Sequence, residues 1–145
     1  MSDPLHLTIR FFVPGAPRGK QRARVVAGGA HSYTPKETVE RERQIAWEGK
    51  KAMAGRPLFE GPVMLTVSAA YVHPASWSAK KKAATYWKTT KPDIDNIVKL
   101  VKDALNRVAW QDDAQVAVVR QRKHYTKNFD DEGLTISIQP LVDRF

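Results

Sequence analysis

Two hydrophobic periodicities alternate along this chain, and its fold must bury both. In residues 93–106, Ile94, Ile97, Val98, Val101 and Leu105 recur at helical spacing and form one apolar stripe. On either side the period drops to two. Residues 62–72 set Val63, Leu65, Val67 and Ala69 on one face, and residues 134–139 alternate cleanly. A one-striped helix between one-faced strands calls for helices layered on a sheet. Residues 5–13, with Leu7, Ile9, Phe11 and Val13, read as a further strand that Pro14-Gly15-Ala16-Pro17 breaks. Residues 22–27 and 30–33 flank Gly28-Gly29, a two-residue hairpin turn. Residues 115–125 read as a strand and 128–133 as a turn. The expectation is an α+β fold in two layers, one domain over residues 1–145. A mixed β-sheet is packed by two main helices, in the order β-β(hairpin)-α-β-α-β-β.

The first of those helices carries a start signature. Thr34 can cap, Pro35 suits the first helical position, and Glu37 can close a capping box. The helix should run to about Ala54 and stop at Gly55, with Val39, Ala46, Trp47 and Met53 on its buried side. Residues 73–90 form a long connection, which inside a small domain is functional or hides a short helix.

The net charge of +9 points to a polyanionic partner, and the distribution of charge sharpens this. No acid occurs between Asp3 and Glu37, between Gly61 and Pro92, or between Ala114 and Phe129. These gaps hold Arg10, Arg18, Lys20, Arg22, Arg24, Lys80, Lys81, Lys82, Lys88, Lys91, Arg120, Arg122, Lys123 and Lys127. The acids between Gly61 and Phe129 are Asp93, Asp95, Asp103, Asp112 and Asp113. Carboxylates kept inside a phosphate-seeking stretch need a reason. Cysteine is absent, which excludes disulfides and thiolate metal sites and is compatible with a reducing cytoplasm. No apolar run is long enough for a signal peptide or a membrane span.

Metal-assisted phosphodiester hydrolysis supplies such a reason. Mg²⁺ takes hard oxygen ligands from a few carboxylates, water and substrate phosphate. In Lys91-Pro92-Asp93-Ile94-Asp95-Asn96, a spacing of two on extended backbone puts Asp93 and Asp95 on one face. Asp112-Asp113 offers two more acids at the start of the next strand. The competing reading is structural. Asp93 can be an N-cap, Asp95 a first-turn acid paired with Lys99, Asp112-Asp113 a turn, and Asp103 a helix salt-bridge residue. Spacing leaves both readings open.

These residues resemble a known family. Lys91-Pro92-Asp93-Ile94-Asp95-Asn96, then Lys99, Asp103-Ala104-Leu105 and Asp112-Asp113-Ala114-Gln115-Val116 are similar, in the same order, to the signature of RusA-type Holliday-junction resolvases. Gly15-Ala16-Pro17, Lys20-Gln21-Arg22 and Arg24 are similar to that family's opening segment. The resemblance implies a dimeric, Mg²⁺-dependent endonuclease that places paired nicks in four-way DNA junctions, with Mn²⁺ as a substitute metal. It implies Asp93, Asp95 and Asp113 as the essential acids and metal ligands, Asp112 as a helper ligand, and Lys99 as the essential lysine. It also implies a cytoplasmic protein of bacterial or phage origin.

For DNA contact, Arg18, Lys20, Arg22 and Arg24 recur at spacing two and form a one-sided basic stripe if extended, with Lys91 beside the paired acids. Trp77, Tyr86 and Trp87 lie among lysines and can stack on exposed bases, although a core position is the commoner use for Tyr86 or Trp87. The four histidines are too scattered for a zinc site. Two other functions compete with junction resolution: a basic nucleic-acid-binding module without catalysis, and a Mg²⁺ nuclease acting on flaps or forks.

Overall fold

The computed structural model describes residues 7–21, 24–25, 32–33 and 35–142, with side chains for residues 7–21 and 35–142. The sheet strands are β1 (Ile9–Pro14), β4 (Val63–Val72), β5 (Val116–Thr126) and β6 (Gly133–Pro140), in the spatial order β1-β6-β4-β5. Strands β2 (Arg24–Val25) and β3 (Ser32–Tyr33) pair antiparallel with each other. The helices are α1 (Lys36–Met53), the short α2 (Ala79–Ala84) and α3 (Ile94–Leu105). The mixed α+β sheet with two main helices is as expected. α2 is the short helix hidden in the 73–90 connection. The Gly28-Gly29 turn, the Thr34 cap and residues 1–6 lie outside the described residues.

β6 pairs antiparallel with β1 and with β4, whereas β4 and β5 run parallel. Parallel neighbours need a long crossover, and α3 lies on it. Alternation then sorts the side chains. Ile9, Phe11, Val13, Leu65, Val67, Leu134, Ile136 and Ile138 are buried on the face that the helices cover. α3 adds Ile97, Val98, Leu100, Val101, Ala104 and Leu105, a stripe wider than its sequence suggested. At about 25 cal/mol per Å² of apolar surface removed from water, each fully buried aliphatic contributes roughly 1.5–3 kcal/mol. Trp110 is completely buried in the same core and donates its indole N–H to Asn106 Oδ1 at 2.9 Å.

α1 departs from expectation in two ways. Pro35 occupies the N-cap position, and no side-chain cap bond is made. The buried side is Thr38, Ile45, Gly49 and Met53, while Trp47 is 60% exposed. The cause is the close crossing of α1 and α3. A Cβ on Gly49 would meet Leu105 Cδ2 at 2.7 Å, so the helix turns its glycine, not its tryptophan, to the core. Trp47 instead lies under Lys51, 5.7 Å from ammonium to ring centroid. At the other end of β6, Gly133 (φ 157°) passes so close to β1 that a Cβ would lie 2.3 Å from the Val13 carbonyl oxygen.

Candidate active site

The β4–α3–β5 crossover carries every acid singled out in the sequence between Gly61 and Phe129. Asp93 takes the N-cap position of α3, yet its carboxylate makes no capping bond. It pairs with Lys91, whose ammonium donates to Oδ1 at 3.0 Å and Oδ2 at 3.1 Å. One turn on, Asp95 and Lys99 do not pair; neither has a side-chain partner among the described residues. The simple i,i+4 surface bridge is therefore not formed.

Before β5 a 3-10 turn spans Asp113–Gln115, and its two acids have different surroundings. Asp112 is the cap: its Oδ1 accepts from the Ala114 N–H at 3.0 Å. Gln115 closes the box, accepting from the N–H groups of Gln111 at 3.0 Å and Asp112 at 3.3 Å. The same Gln115 amide donates to the carbonyls of Phe59 at 2.8 Å and Gly61 at 3.0 Å, which ties the turn to the chain entering β4. Asp113 has no side-chain partner among the described residues.

Asp95, Lys99 and Asp113 line one open pocket of about 360 Å³, with Lys102, Asp103 and two β5 side chains, Val119 and Gln121. Asp93 and Lys91 line a separate groove of about 370 Å³ around the start of α3, with Arg18, Lys20, Arg41 and Asn96. So the fold brings Asp95, Lys99 and Asp113 together and leaves Asp93 next door. Among the described residues no three His, Asp or Glu side chains gather as a metal cluster. Two unpartnered carboxylates in one pocket nevertheless suit Mg²⁺, which is commonly bound through one or two carboxylates plus water and substrate phosphate.

A family model described as Endodeoxyribonuclease RusA matches residues 14–139, most of the chain. The chain belongs to the RusA family. It is accordingly an endodeoxyribonuclease, a hydrolase of DNA phosphodiester bonds, in a family of Holliday-junction resolvases. The reading as a binding module without catalysis is thereby set aside. A protein of Bacillus subtilis (strain 168), named Uncharacterized protein YqaN, is 36% identical over 129 residues, covering 82% of this chain and 89% of that protein. No helix among the described residues is long and apolar enough to cross a membrane.

In this RusA-family chain the basic N-terminal stripe is less free than its sequence implies. Residues 16–20 are not in a strand. Arg18 pairs with Glu37 at 2.8 Å, and Lys20 bonds to Asp103 and lies 3.2 Å from Glu42. Burial pulls the Lys20 ammonium down, but bonds to Asp103 and Glu42 outweigh it and raise its pKa above the usual lysine value. The segment has no acids along the sequence; α1 and α3 supply them in space. Asp103 is thus the salt-bridge residue its position suggested. Arg22 lies outside the described residues, as does the Arg24 side chain.

The segment is also pinned to the helices. Lys20 N–H donates to the Asn96 carbonyl at 2.9 Å, and Gly19 lies so close that a Cβ would meet Asn96 Cβ at 2.9 Å. Tyr71 donates its hydroxyl to the Pro17 carbonyl at 2.9 Å, and burial raises its pKa. Arg41 donates to the carbonyls of Pro14, Gly15 and Ala16 at 3.1, 2.7 and 3.0 Å.

Two residues at the site escaped sequence reasoning. Lys123 reaches back from β5 to donate to the carbonyls of Thr90 at 2.7 Å and Pro92 at 2.8 Å, fixing the approach to Asp93. Burial lowers its pKa, as do the Lys88 and Lys91 charges, against the pull of Asp93. Nothing in the sequence distinguishes it from its basic neighbours. Gln115 is the second, and its place in the Asp-Asp-x-Gln motif was a usable signal. The aromatic residues also differ from expectation: Tyr86 and Trp87 are 48% and 59% exposed, because the connection runs over the surface. Trp77 packs edge-on to Tyr125, with centroids 5.3 Å apart, and carries Lys81 over its ring.

Proposed function

We propose that this RusA-family endodeoxyribonuclease resolves four-way DNA junctions as a Mg²⁺-dependent homodimer, by paired hydrolysis of phosphodiester bonds. One observation carries the assignment of the centre. Asp95, Lys99 and Asp113 share a pocket without protein partners among the described residues, while neighbouring Asp112 is engaged as a cap. Asp95 and Asp113 would hold the metal, with Asp93 as a further ligand and Mn²⁺ as a substitute ion. Bound Mg²⁺ supplies an activated water and offsets charge on the reacting phosphate.

The chain's own residues do the remaining work. Lys99 offsets negative charge building on the phosphoryl oxygens. Gln115 keeps the Asp113 turn in register with β4, and Lys123 keeps the Asp93 turn in register with β5. Lys91 and Arg18, at the groove beside the acids, bind flanking phosphates. Symmetric nicks in a four-way junction require two such centres, hence the dimer, acting in the cytoplasm where DNA intermediates arise.

The test is cleavage of a labelled four-way junction against a matched linear duplex, a flap and a fork, with Mg²⁺ and with EDTA. Paired, Mg²⁺-dependent nicks confined to the junction are expected. Equal cutting of linear duplex, or full activity in EDTA, sinks the proposal. Preference for flaps or forks would move the substrate and leave the chemistry.

A further inference from the structure

The helices cover one face of the sheet, and the opposite face carries a cross-strand pattern that the nuclease pocket does not use. Register aligns Arg10 with Ser137, Ser137 with Thr66, and Thr66 with Arg120. One straight row therefore runs Arg-Ser-Thr-Arg across all the strands of the sheet. At about 4.8 Å per strand its two arginines stand roughly 14 Å apart. In the next row Arg122 donates its Nε–H to Ser68 Oγ at 3.0 Å, and Ser68 Oγ lies 3.0 Å from His124 Nε2. Arg10, Arg120 and Arg122 are exposed, and none forms an ion pair among the described residues. The acids nearest the surface, Asp130 and Asp131, stand at one end of it.

We propose that this open face binds the sugar–phosphate backbone of a duplex DNA arm, distinct from the strand being cut; this rests on the nuclease reading above. Guanidinium groups bordering hydroxyl donors, with no carboxylate among them, complement phosphates. The arginine spacing is close to the width of a major groove, about 12 Å, so the pair reaches phosphates on both of its borders. A second copy of the chain is a poor occupant. It brings the same exposed arginines and the same net positive charge to the contact, which is the less complementary pairing. β5 links this face to the active site. It is one of the two edge strands, and its residues alternate: Val119 lines the Asp95–Asp113 pocket, Arg120 and Arg122 line the open face, and Gln121 borders both. An arm held on the open face passes round the β5 edge to reach the pocket.

The test uses R10Q/R120Q, since neither side chain has a partner among the described residues, with R10K/R120K as the charge-preserving control. Binding of a labelled four-way junction is followed by fluorescence anisotropy in EDTA across a salt series, so no cleavage enters the readout. For R10Q/R120Q the slope of log affinity against log salt should shrink by roughly 1.8, about 0.9 per phosphate lost, with binding weakened roughly tenfold at moderate salt. R10K/R120K should keep most of both. An unchanged slope and affinity in R10Q/R120Q overturns the inference. So does equal loss in R10K/R120K, or a change from dimer to monomer by sedimentation in R10Q/R120Q. Binding that behaves as expected beside a failure to cut junctions would instead overturn the proposed function and leave this surface standing.

Discussion

The Lys123 ammonium donates to the Pro92 carbonyl at 2.8 Å, joining β5 to the turn that delivers Asp93. Through this bond and its partner at Thr90, one lysine sets where α3 begins relative to the strand that follows it. Displacing a reactive group by about 1 Å can cost on the order of a hundredfold in rate. Lys123→Met is therefore expected to lower junction turnover roughly ten- to a hundredfold, with Lys123→Arg recovering part of it. Single-turnover cleavage with saturating enzyme reads this out. Unaltered turnover in Lys123→Met would show that the turn holds its position unaided.

The two acids of the Asp112-Asp113 pair should part company on mutation. Asp112→Ala removes a cap and is expected to cost about 1 kcal/mol of stability, with cleavage reduced moderately. Asp113→Asn leaves protein contacts intact, so its melting temperature should match the parent, while cleavage falls at least about a hundredfold. Asp95→Asn should behave like Asp113→Asn. Thermal melts beside junction cleavage separate the outcomes, and the reverse ranking would transfer the metal role to Asp112.

Lys99→Met should depress turnover far more than junction binding, because the ammonium acts on charge that develops during reaction. Anisotropy in EDTA gives the binding term and single-turnover kinetics the rate. Proportional loss of both would make Lys99 a DNA anchor instead.

The Lys20 cluster predicts an alkaline limit. Asp103 and Glu42 hold the folded Lys20 pKa above 10.5. A raised lysine pKa stabilises the fold fully below the unfolded value, and that contribution disappears as pH climbs through the folded value. Lys20→Met strands two carboxylates, at a cost of about 1–3 kcal/mol. The melting-temperature gap between parent and Lys20→Met should stay level from neutral pH to about pH 10 and close above it. A gap that widens at high pH would contradict the linkage.

Gly49→Ala should destabilise by about 1–3 kcal/mol through overpacking against Leu105. Urea denaturation measures it, and a neutral result would mean that α1 slides without cost.

Much of this architecture was readable from periodicity. α3, β4 and β6 each present a single apolar face, so Ile97, Val101, Leu65 and Ile136 could be assigned inward with no knowledge of partners. α1 resisted because its contact with α3 is made by a glycine; hydrophobicity favours Trp47, whereas closeness of approach decides for Gly49. Trp110 also gave no periodic signal, since it sits in an irregular segment between elements. At the site, Asp95, Lys99 and Asp113 were singled out by resemblance to a family signature, since spacing alone fits caps and turns equally well; the fold sets all three around one pocket. The separation of Asp93 into its own groove was not legible, because it depends on which way the N-cap side chain turns. The ion-pairing of Lys20 was equally hidden. Its partners Glu42 and Asp103 lie far along the chain, and an acid-free stretch of sequence says nothing about acids brought in from other helices.

Trp110 is wholly buried and hydrogen-bonded to Asn106, whereas Trp47 and Trp87 stand open to solvent. The native emission is thus expected to combine a blue part from Trp110 that soluble quenchers cannot reach, an intermediate part from half-buried Trp77 and a red part from Trp47 and Trp87 that they extinguish. Quenching by iodide would strip the Trp47 and Trp87 emission and leave Trp110, with a share from half-buried Trp77, as an optical gauge of the core.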